Sequence, residues 1–208
     1  MPPALIILLA VAAAYLLGSI PFAIISSRLF GLADPRSYGS KNPGATNVLR
    51  SGNKAAAIVT LLGDASKGWL AVYLAKKYGI EYVSGPGTAL VGFVALGVFF
   101  GHIYPIFLKF KGGKGVATAA GVLLALDPLL GLVTAGIWLF IAFTLRYSSL
   151  AALIAATAAP IYAALSWGTD GLVIVVGIIA MVLVGKHWPN LQRLMAGKEP
   201  KIGAKKKA

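Results

Sequence analysis

The 208-residue sequence has no cysteine, two histidines and six acidic residues. The first absence excludes disulfides, thiolate metal sites and cysteine nucleophiles. Two histidines with no cysteine or carboxylate clustered beside them make no transition-metal site, so no metal and no cofactor is expected. Charged residues are also scarce, at 12% where soluble domains carry about 25%. Hydrophobic residues reach 58% and mean hydropathy is +0.83. A water-soluble single domain is excluded by this balance, and intrinsic disorder by the apolar surface that must be buried. The chain reads as an all-α integral membrane protein. Its 19 basic residues give a net charge of +13. In a soluble protein that excess would suggest nucleic acid. In a membrane protein it belongs first to the cytoplasmic loops.

A spanning helix needs about 20 mostly apolar residues. Apolar runs cover 4–30, 55–75, 88–110, 116–126, 129–145, 149–167 and 171–185. The first lacks the basic start of a signal peptide, opening instead Met-Pro-Pro. The fourth would rise only about 17 Å as helix, so it either begins earlier, in the Gly-Gly-Lys-Gly stretch, or 116–145 contains a re-entrant piece. Seven spans are therefore expected, with five spans plus re-entrant segments as the alternative. With alternating loops, every basic residue except Lys67, Lys76 and Lys77 falls on one side, while Glu81, Asp127 and Asp170 fall on the other. The positive-inside rule makes the basic side cytoplasmic, the N-terminus external and the C-terminus internal. Residues 1–200 read as one polytopic domain, and 201–208 as a lysine-rich tail attracted to anionic lipid.

A transporter would spread polar groups near the midplane on broken helices from two repeats. Here the polar, glycine-rich segments gather in the cytoplasmic regions. The first, Gly39 to Arg50, offers Ser40, Lys41, Asn42, Thr46, Asn47 and Arg50. A helical Asn47 and Arg50 would share a face, and an arginine there can hold phosphate bidentately. An ordinary basic loop is the alternative. The second, Lys109 to Thr118, holds Gly112, Gly113, Lys114 and Gly115 before an apolar helix. Glycine amides, a helix N-terminus and a lysine suit an anion. The spacing is not that of a Walker loop, and a plain glycine turn is the alternative. The third, Gly185 to Glu199, places His187 and Asn190 three apart. A histidine that caps carbonyls is the alternative there, and pairing with a local cation is the reading for Glu199. Within the second run, Asp64 and Lys67 stand at i, i+3, the spacing of a mutual intramembrane ion pair. Ser148 and Ser149 beside Arg146 read as helix caps or as site residues. Together these features imply a basic cavity at the inner membrane surface, suited to a phosphate head and an acyl tail.

The ordered set Gly18-Ser-Ile-Pro, Gly39-Ser-x-Asn-Pro-Gly-Ala-Thr-Asn-Val-Leu-Arg50, Gly63-Asp-x-x-Lys-Gly68, Gly101-His-x-x-Pro, Phe110-Lys-Gly-Gly-Lys-Gly-Val-Ala-Thr118, Arg146-Tyr-Ser-Ser-Leu150 and Lys186-His-x-x-Asn190-x-x-Arg-Leu spans nearly the whole chain. It resembles the acyl-phosphate:glycerol-3-phosphate acyltransferase family, called PlsY, of bacterial inner membranes. The resemblance implies a seven-helix bundle with its site on the cytoplasmic side. It implies acyl transfer from a long-chain acyl phosphate to the 1-position of glycerol 3-phosphate, giving lysophosphatidic acid and inorganic phosphate. This would be the first acylation of phospholipid synthesis. By this resemblance Lys114, His187, Asn190 and Ser149 are expected in catalysis. Ser40, Asn42, Thr46, Asn47, Arg50, Gly112, Gly113, Lys114 and Gly115 are expected at the substrates, and Asp64, Lys67 and Glu199 in structural roles. Many members carry a second serine where this chain has Ala152. The expected partners are the two substrates and membrane lipid, with no nucleic acid. The acyl-phosphate-producing enzyme and the next acyltransferase are candidates, and the protein itself is expected to be a monomer. The His-x-x-x-x-Asp box of soluble-donor acyltransferases is absent.

Overall fold

The computed structural model describes residues 2–79 and 88–203. Glu81 and Lys205 to Lys207, used in the charge reading, lie outside the described residues, as does most of the 201–208 tail. All regular structure among the described residues is helical. The helices are α1 (Pro3–Gly18), α2 (Phe22–Leu29), α3 (Ala45–Leu49), α4 (Lys54–Leu74), α5 (Thr88–Ile103), α6 (Val116–Leu126), α7 (Pro128–Thr144), α8 (Ser148–Trp167), α9 (Gly171–Lys186) and α10 (Trp188–Met195). Each of the seven apolar runs forms helix.

Four helical stretches are long and apolar enough to cross a membrane: Pro3–Leu29, Lys54–Gly79, Ala89–Leu108 and Ser148–Trp167. A fifth arises if α9 and α10, bent by 57° at His187, count as one. α6 and α7 are shorter. α6 does not start earlier in the glycine stretch, as one of the two expectations held. Gly115 takes a left-handed φ of 83° immediately before it, a conformation glycine adopts without the steric penalty of a Cβ. The helix therefore begins only at Val116.

Two interruptions break the apolar runs. The first run breaks after Gly18, where Ser19 returns its hydroxyl to the Tyr15 carbonyl at 2.9 Å and Pro21 has no N–H to continue the ladder. Between α6 and α7, Asp127 accepts hydrogen bonds from the Leu129 and Leu130 amides at 2.7 and 3.1 Å and from the Trp167 indole at 3.3 Å. The carboxylate is an N-cap that joins two helices.

The helices pack through small residues. A β-carbon on Gly18 would strike the Val98 carbonyl, and one on Gly101 the Tyr15 carbonyl, so α1 and α5 touch backbone to backbone. Gly68 against Thr118 and Gly121 against Ala65 do the same for α4 and α6. Such close approach is how helices associate in lipid, where burying leucine gains nothing over leaving it in the bilayer. The outer surface is apolar in keeping with that solvent: Phe143 and Leu165 are more than 80% exposed. The interior, by contrast, holds Ser26, Thr60, Asp64, Lys67, His102 and Thr118 beside Val72, Val98, Phe99 and Val122.

Candidate active site

An open cavity of about 240 Å³ lies where the loop before α3, the glycine loop before α6 and the α9–α10 corner converge. Ser40, Lys41 and Asn42 form one wall, Gly112 to Lys114 the second, and Lys186, Pro189, Asn190 and Arg193 the third. Three segments far apart in sequence therefore meet at one place.

The first wall is held by Asn47. Its side chain is 2% exposed, accepts the Ser40 amide at 2.9 Å and donates to the Pro35 and Tyr38 carbonyls at 2.6 and 3.2 Å. Asn47 is thus engaged within the loop it shapes, and it is Ser40 and Asn42 that reach the cavity. Thr46 pairs with the Ser148 hydroxyl at 3.0 Å, tying this loop to the start of α8. Arg50 follows α3, with its side chain against Gly39. It forms no ion pair among the described residues.

The second wall carries the lysine. Gly113 donates its N–H to the His102 carbonyl at 3.2 Å, so this amide is committed to the scaffold. The amides of Gly112, Lys114 and Gly115 have no hydrogen-bond partner among the described residues. With the first amides of α6, they form a donor set suited to an anion. The Lys114 ammonium donates to Asn190 Oδ1. Burial lowers its pKa to about 8, with the positive charges of Arg193, Arg50 and Lys186 adding to the effect and Glu199 opposing it.

The third wall is organised by a carboxylate. Glu199 Oε1 accepts from the Ser149 hydroxyl at 2.7 Å and from the Asn190 amide at 2.6 Å, while Oε2 accepts from Arg193 at 2.7 Å. Burial opposes ionisation, but these three donors outweigh it and hold Glu199 below the usual glutamate pKa. Asn190 is thereby fixed with its nitrogen toward Glu199 and its oxygen toward Lys114. The segment carrying Glu199 is itself anchored. Ile202 and Arg146 exchange hydrogen bonds of 2.7 and 2.8 Å, the Arg146 guanidinium donating to the Ile202 carbonyl. His187, in the turn between α9 and α10, is 3% exposed. Its Nδ1 faces the Leu183 carbonyl at 2.8 Å. A carbonyl only accepts, so Nδ1 carries the proton, and Nε2 remains the nitrogen without a hydrogen-bond partner among the described residues.

The structure brings together Ser40, Asn42, Gly112, Gly113, Lys114 and Asn190 from the expected set, with His187 beside Asn190. It places Asn47 and Ser149 in the supporting frame. Asp64 and Lys67 lie outside this cavity, behind the glycine loop, with their charged ends 2.8 Å apart. Sequence reasoning did not single out Lys186 or Arg193 as cavity residues. Arg193, three after Asn190 on α10, carried the signal of one helical face, whereas Lys186 lies across the 57° bend at His187 and reaches the cavity only through that bend. Lys41, named among the donors of the first segment, lies on the first wall with a left-handed φ of 56°. The Lys186 ammonium also lies 4.9 Å from the centre of the Tyr104 ring.

The family model described as glycerol-3-phosphate acyltransferase matches residues 8–197. A protein of that name from Dechloromonas aromatica (strain RCB) is 66% identical over 202 residues, covering 97% of this chain and 99% of the relative. Another from Burkholderia multivorans (strain ATCC 17616 / 249) is 59% identical over 204 residues, covering 97% and 93%. Among solved structures, PlsY, an integral membrane glycerol 3-phosphate acyltransferase, superposes in its glycerol 3-phosphate form with a TM-score of 0.86. That match has 36% identity and covers 95% of this chain and 96% of the other. Its lysophosphatidic acid form superposes with a TM-score of 0.84 at 35% identity, covering 95% of each chain.

Proposed function

This chain belongs to the glycerol-3-phosphate acyltransferase family, and from that premise we propose that it uses a long-chain acyl phosphate as donor. In this reading it acylates the 1-hydroxyl of glycerol 3-phosphate, releasing 1-acyl-glycerol 3-phosphate and inorganic phosphate, the first acylation of bacterial phospholipid synthesis. The observation that carries the reading is the cavity itself. Lys41, Lys114 and Lys186 line it without an acidic partner among the described residues, at the free amides of the glycine loop. Two phosphate-bearing substrates repel each other, and a site that unites them needs this surplus of positive charge. The solved PlsY forms with glycerol 3-phosphate and with lysophosphatidic acid support the same substrate and product.

An acyl phosphate is a mixed anhydride and already activated, so positioning and charge neutralisation are the main tasks. Lys114 and the free amides of Gly112, Lys114 and Gly115 hold phosphate oxygens. Arg50, Lys186 and Arg193 complete the cationic surround, and Ser40 and Asn42 orient the polar head. The glycerol hydroxyl oxygen bonds to the acyl carbonyl carbon, and the carbonyl–phosphate oxygen bond breaks. Phosphate leaves with the bonding electrons. The hydroxyl proton passes to His187 Nε2 or to a substrate phosphate oxygen. No acyl-enzyme is required, since the cavity presents no activated nucleophile paired with a base.

In this reading seven helices, α1 and α4 to α9, lie in the inner membrane; the 11-residue α6 is too short to cross the hydrocarbon core unaided and forms with α7 the re-entrant piece that the sequence left open. The N-terminus is outside, and the basic loops, the C-terminus and the cavity are on the cytoplasmic side. The protein acts as a monomer, and residues 1–200 form one domain. Purified protein in detergent tests the donor. With glycerol 3-phosphate and palmitoyl phosphate it yields lysophosphatidic acid and one phosphate per product, while palmitoyl-CoA yields none. Product from palmitoyl-CoA alone would overturn the donor assignment.

A further inference from the structure

Behind the cavity lies a second polar cluster that the proposed chemistry does not touch. Asp64 and Lys67, each 3% exposed, sit one turn apart on α4 with carboxylate and ammonium 2.8 Å apart. Asp64 Oδ1 receives that charge outside hydrogen-bonding geometry, while the ammonium donates to the Ile20 carbonyl, 2.9 Å away in the α1–α2 break. His102, near the end of α5, brings Nδ1 to 3.4 Å from the same Asp64 oxygen and to 3.1 Å from the Thr118 hydroxyl on α6. Three helices, α4, α5 and α6, and the α1–α2 break are thus joined at one buried point.

His102 meets the glycine loop twice. Its carbonyl accepts the Gly113 amide at 3.2 Å. Its Nε2 edge fills the space where a β-carbon on Gly113 would lie, with the Pro43 carbonyl on the other side. A β-carbon on Gly112 would strike the His102 and Ile103 carbonyls. The Gly112–Gly113 pair is therefore clamped between His102 and the first loop, and Lys114 is the next residue. A small void of about 10 Å³ at the clamp is bordered by Asp64, Lys67, His102 and both glycines, so little else separates cluster from loop. Buried ion pairs are poor sources of net stability, which makes a purely structural purpose an incomplete explanation of this one.

We propose that Asp64, Lys67 and His102 are positioning residues that set the Gly112–Gly113 segment, and with it the Lys114 ammonium and the free loop amides, for the phosphate of glycerol 3-phosphate. This rests on the reaction proposed above only for its kinetic readout. The positioning itself is read from backbone exchange.

The test uses the full-length protein in detergent and two variants. Asp64→Asn with Lys67→Met removes both buried charges together, leaving no lone ion to unfold the bundle. His102→Asn keeps an amide nitrogen where Nδ1 faces Asp64 and removes the edge against Gly113. Both are expected to melt within a few degrees of the wild type. In both, amide exchange across 109–118 accelerates at least tenfold while α8 and α9 are unchanged. KM for glycerol 3-phosphate rises at least tenfold and kcat stays within about threefold. Wild-type exchange rates in 109–118 would overturn the proposal whatever the activity, as would faster exchange with an unchanged KM. A wild type that makes no lysophosphatidic acid refutes the proposed reaction instead. The exchange comparison then still decides the cluster: faster exchange confined to 109–118 supports it, and unchanged exchange overturns it.

Discussion

The Lys114 ammonium offers the most quantitative handle on the site. Its pKa of about 8 lies well below the ordinary lysine value near 10.4. Burial is the main cause, followed among the lowering influences by Arg193, Arg50 and Lys186, with Glu199 opposing. The charged form is the one that attracts phosphate, so activity must fall as pH rises through this pKa. With a pKa of about 8, roughly nine-tenths of the enzyme carries the charge at pH 7 and about one-tenth at pH 9. The expected result is an approximately tenfold decline in kcat/KM for glycerol 3-phosphate over that interval. kcat/KM is the proper quantity because it reports the free enzyme. A phosphate monoester loses its second proton near pH 6, so substrate ionisation is complete before the decline begins. Lys114→Arg keeps its charge at every pH tested and should flatten the limb even if its absolute rate is lower. Glu199→Gln removes the opposing carboxylate and should move the limb to lower pH. The assay follows phosphate release from palmitoyl phosphate between pH 6.5 and 9.5, corrected for enzyme-free hydrolysis. A flat wild-type profile to pH 9.5, or the same limb in Lys114→Arg, would refute the assignment.

Three further outcomes are expected. Ser149→Ala removes one of three donors to a charged carboxylate, a loss of about 1.5–3 kcal/mol. It should lower the detergent melting temperature and leave more activity than Asn190→Ala, which severs the link between Glu199 and Lys114; equal activities would contradict the separate roles. Asn47→Leu breaks three hydrogen bonds inside the first loop and should raise KM for glycerol 3-phosphate at least tenfold through misplaced Ser40 and Asn42. An unchanged KM in saturation kinetics would count against that loop as a wall of the site. Gly121→Val places a β-carbon on the Ala65 carbonyl and should separate α4 from α6, whereas Gly177→Ala on α9 meets nothing within 4 Å. Melting in detergent should show a large drop for the first and none for the second.

The parts of this protein most legible in sequence are those set by the membrane. Apolar runs of sufficient length can hide their backbone only as helix, and all seven formed helix. Breaks needed a local reason. The break between Gly18 and Phe22 inside the first run was not read, although Pro21 was a local signal for it. The Ser149 and Asn190 contacts to Glu199 were not visible, because they depend on the chain returning past Arg146, a long-range pairing with no periodic signature. Asn47 shows a different limit. A polar residue in a basic, glycine-rich loop reads as a ligand-binding group, yet its amide is the loop's own framework. The His102 carbonyl that occupies Gly113 was equally hidden. Glycine spacing says that a backbone comes close to something, but not whether that neighbour is an anion or another turn of the same protein. Arg193 was readable in principle from its spacing to Asn190 on α10, while Lys186 depends on the bend at His187.

The most direct test of the cationic cavity is equilibrium binding of radiolabelled glycerol 3-phosphate to purified protein without an acyl donor, compared with binding of glycerol. The account predicts saturable binding of glycerol 3-phosphate that weakens with added salt and with inorganic phosphate. Lys114→Ala should weaken it at least tenfold, and glycerol should not bind. Equal binding by wild type and Lys114→Ala, or binding indifferent to phosphate, would contradict it.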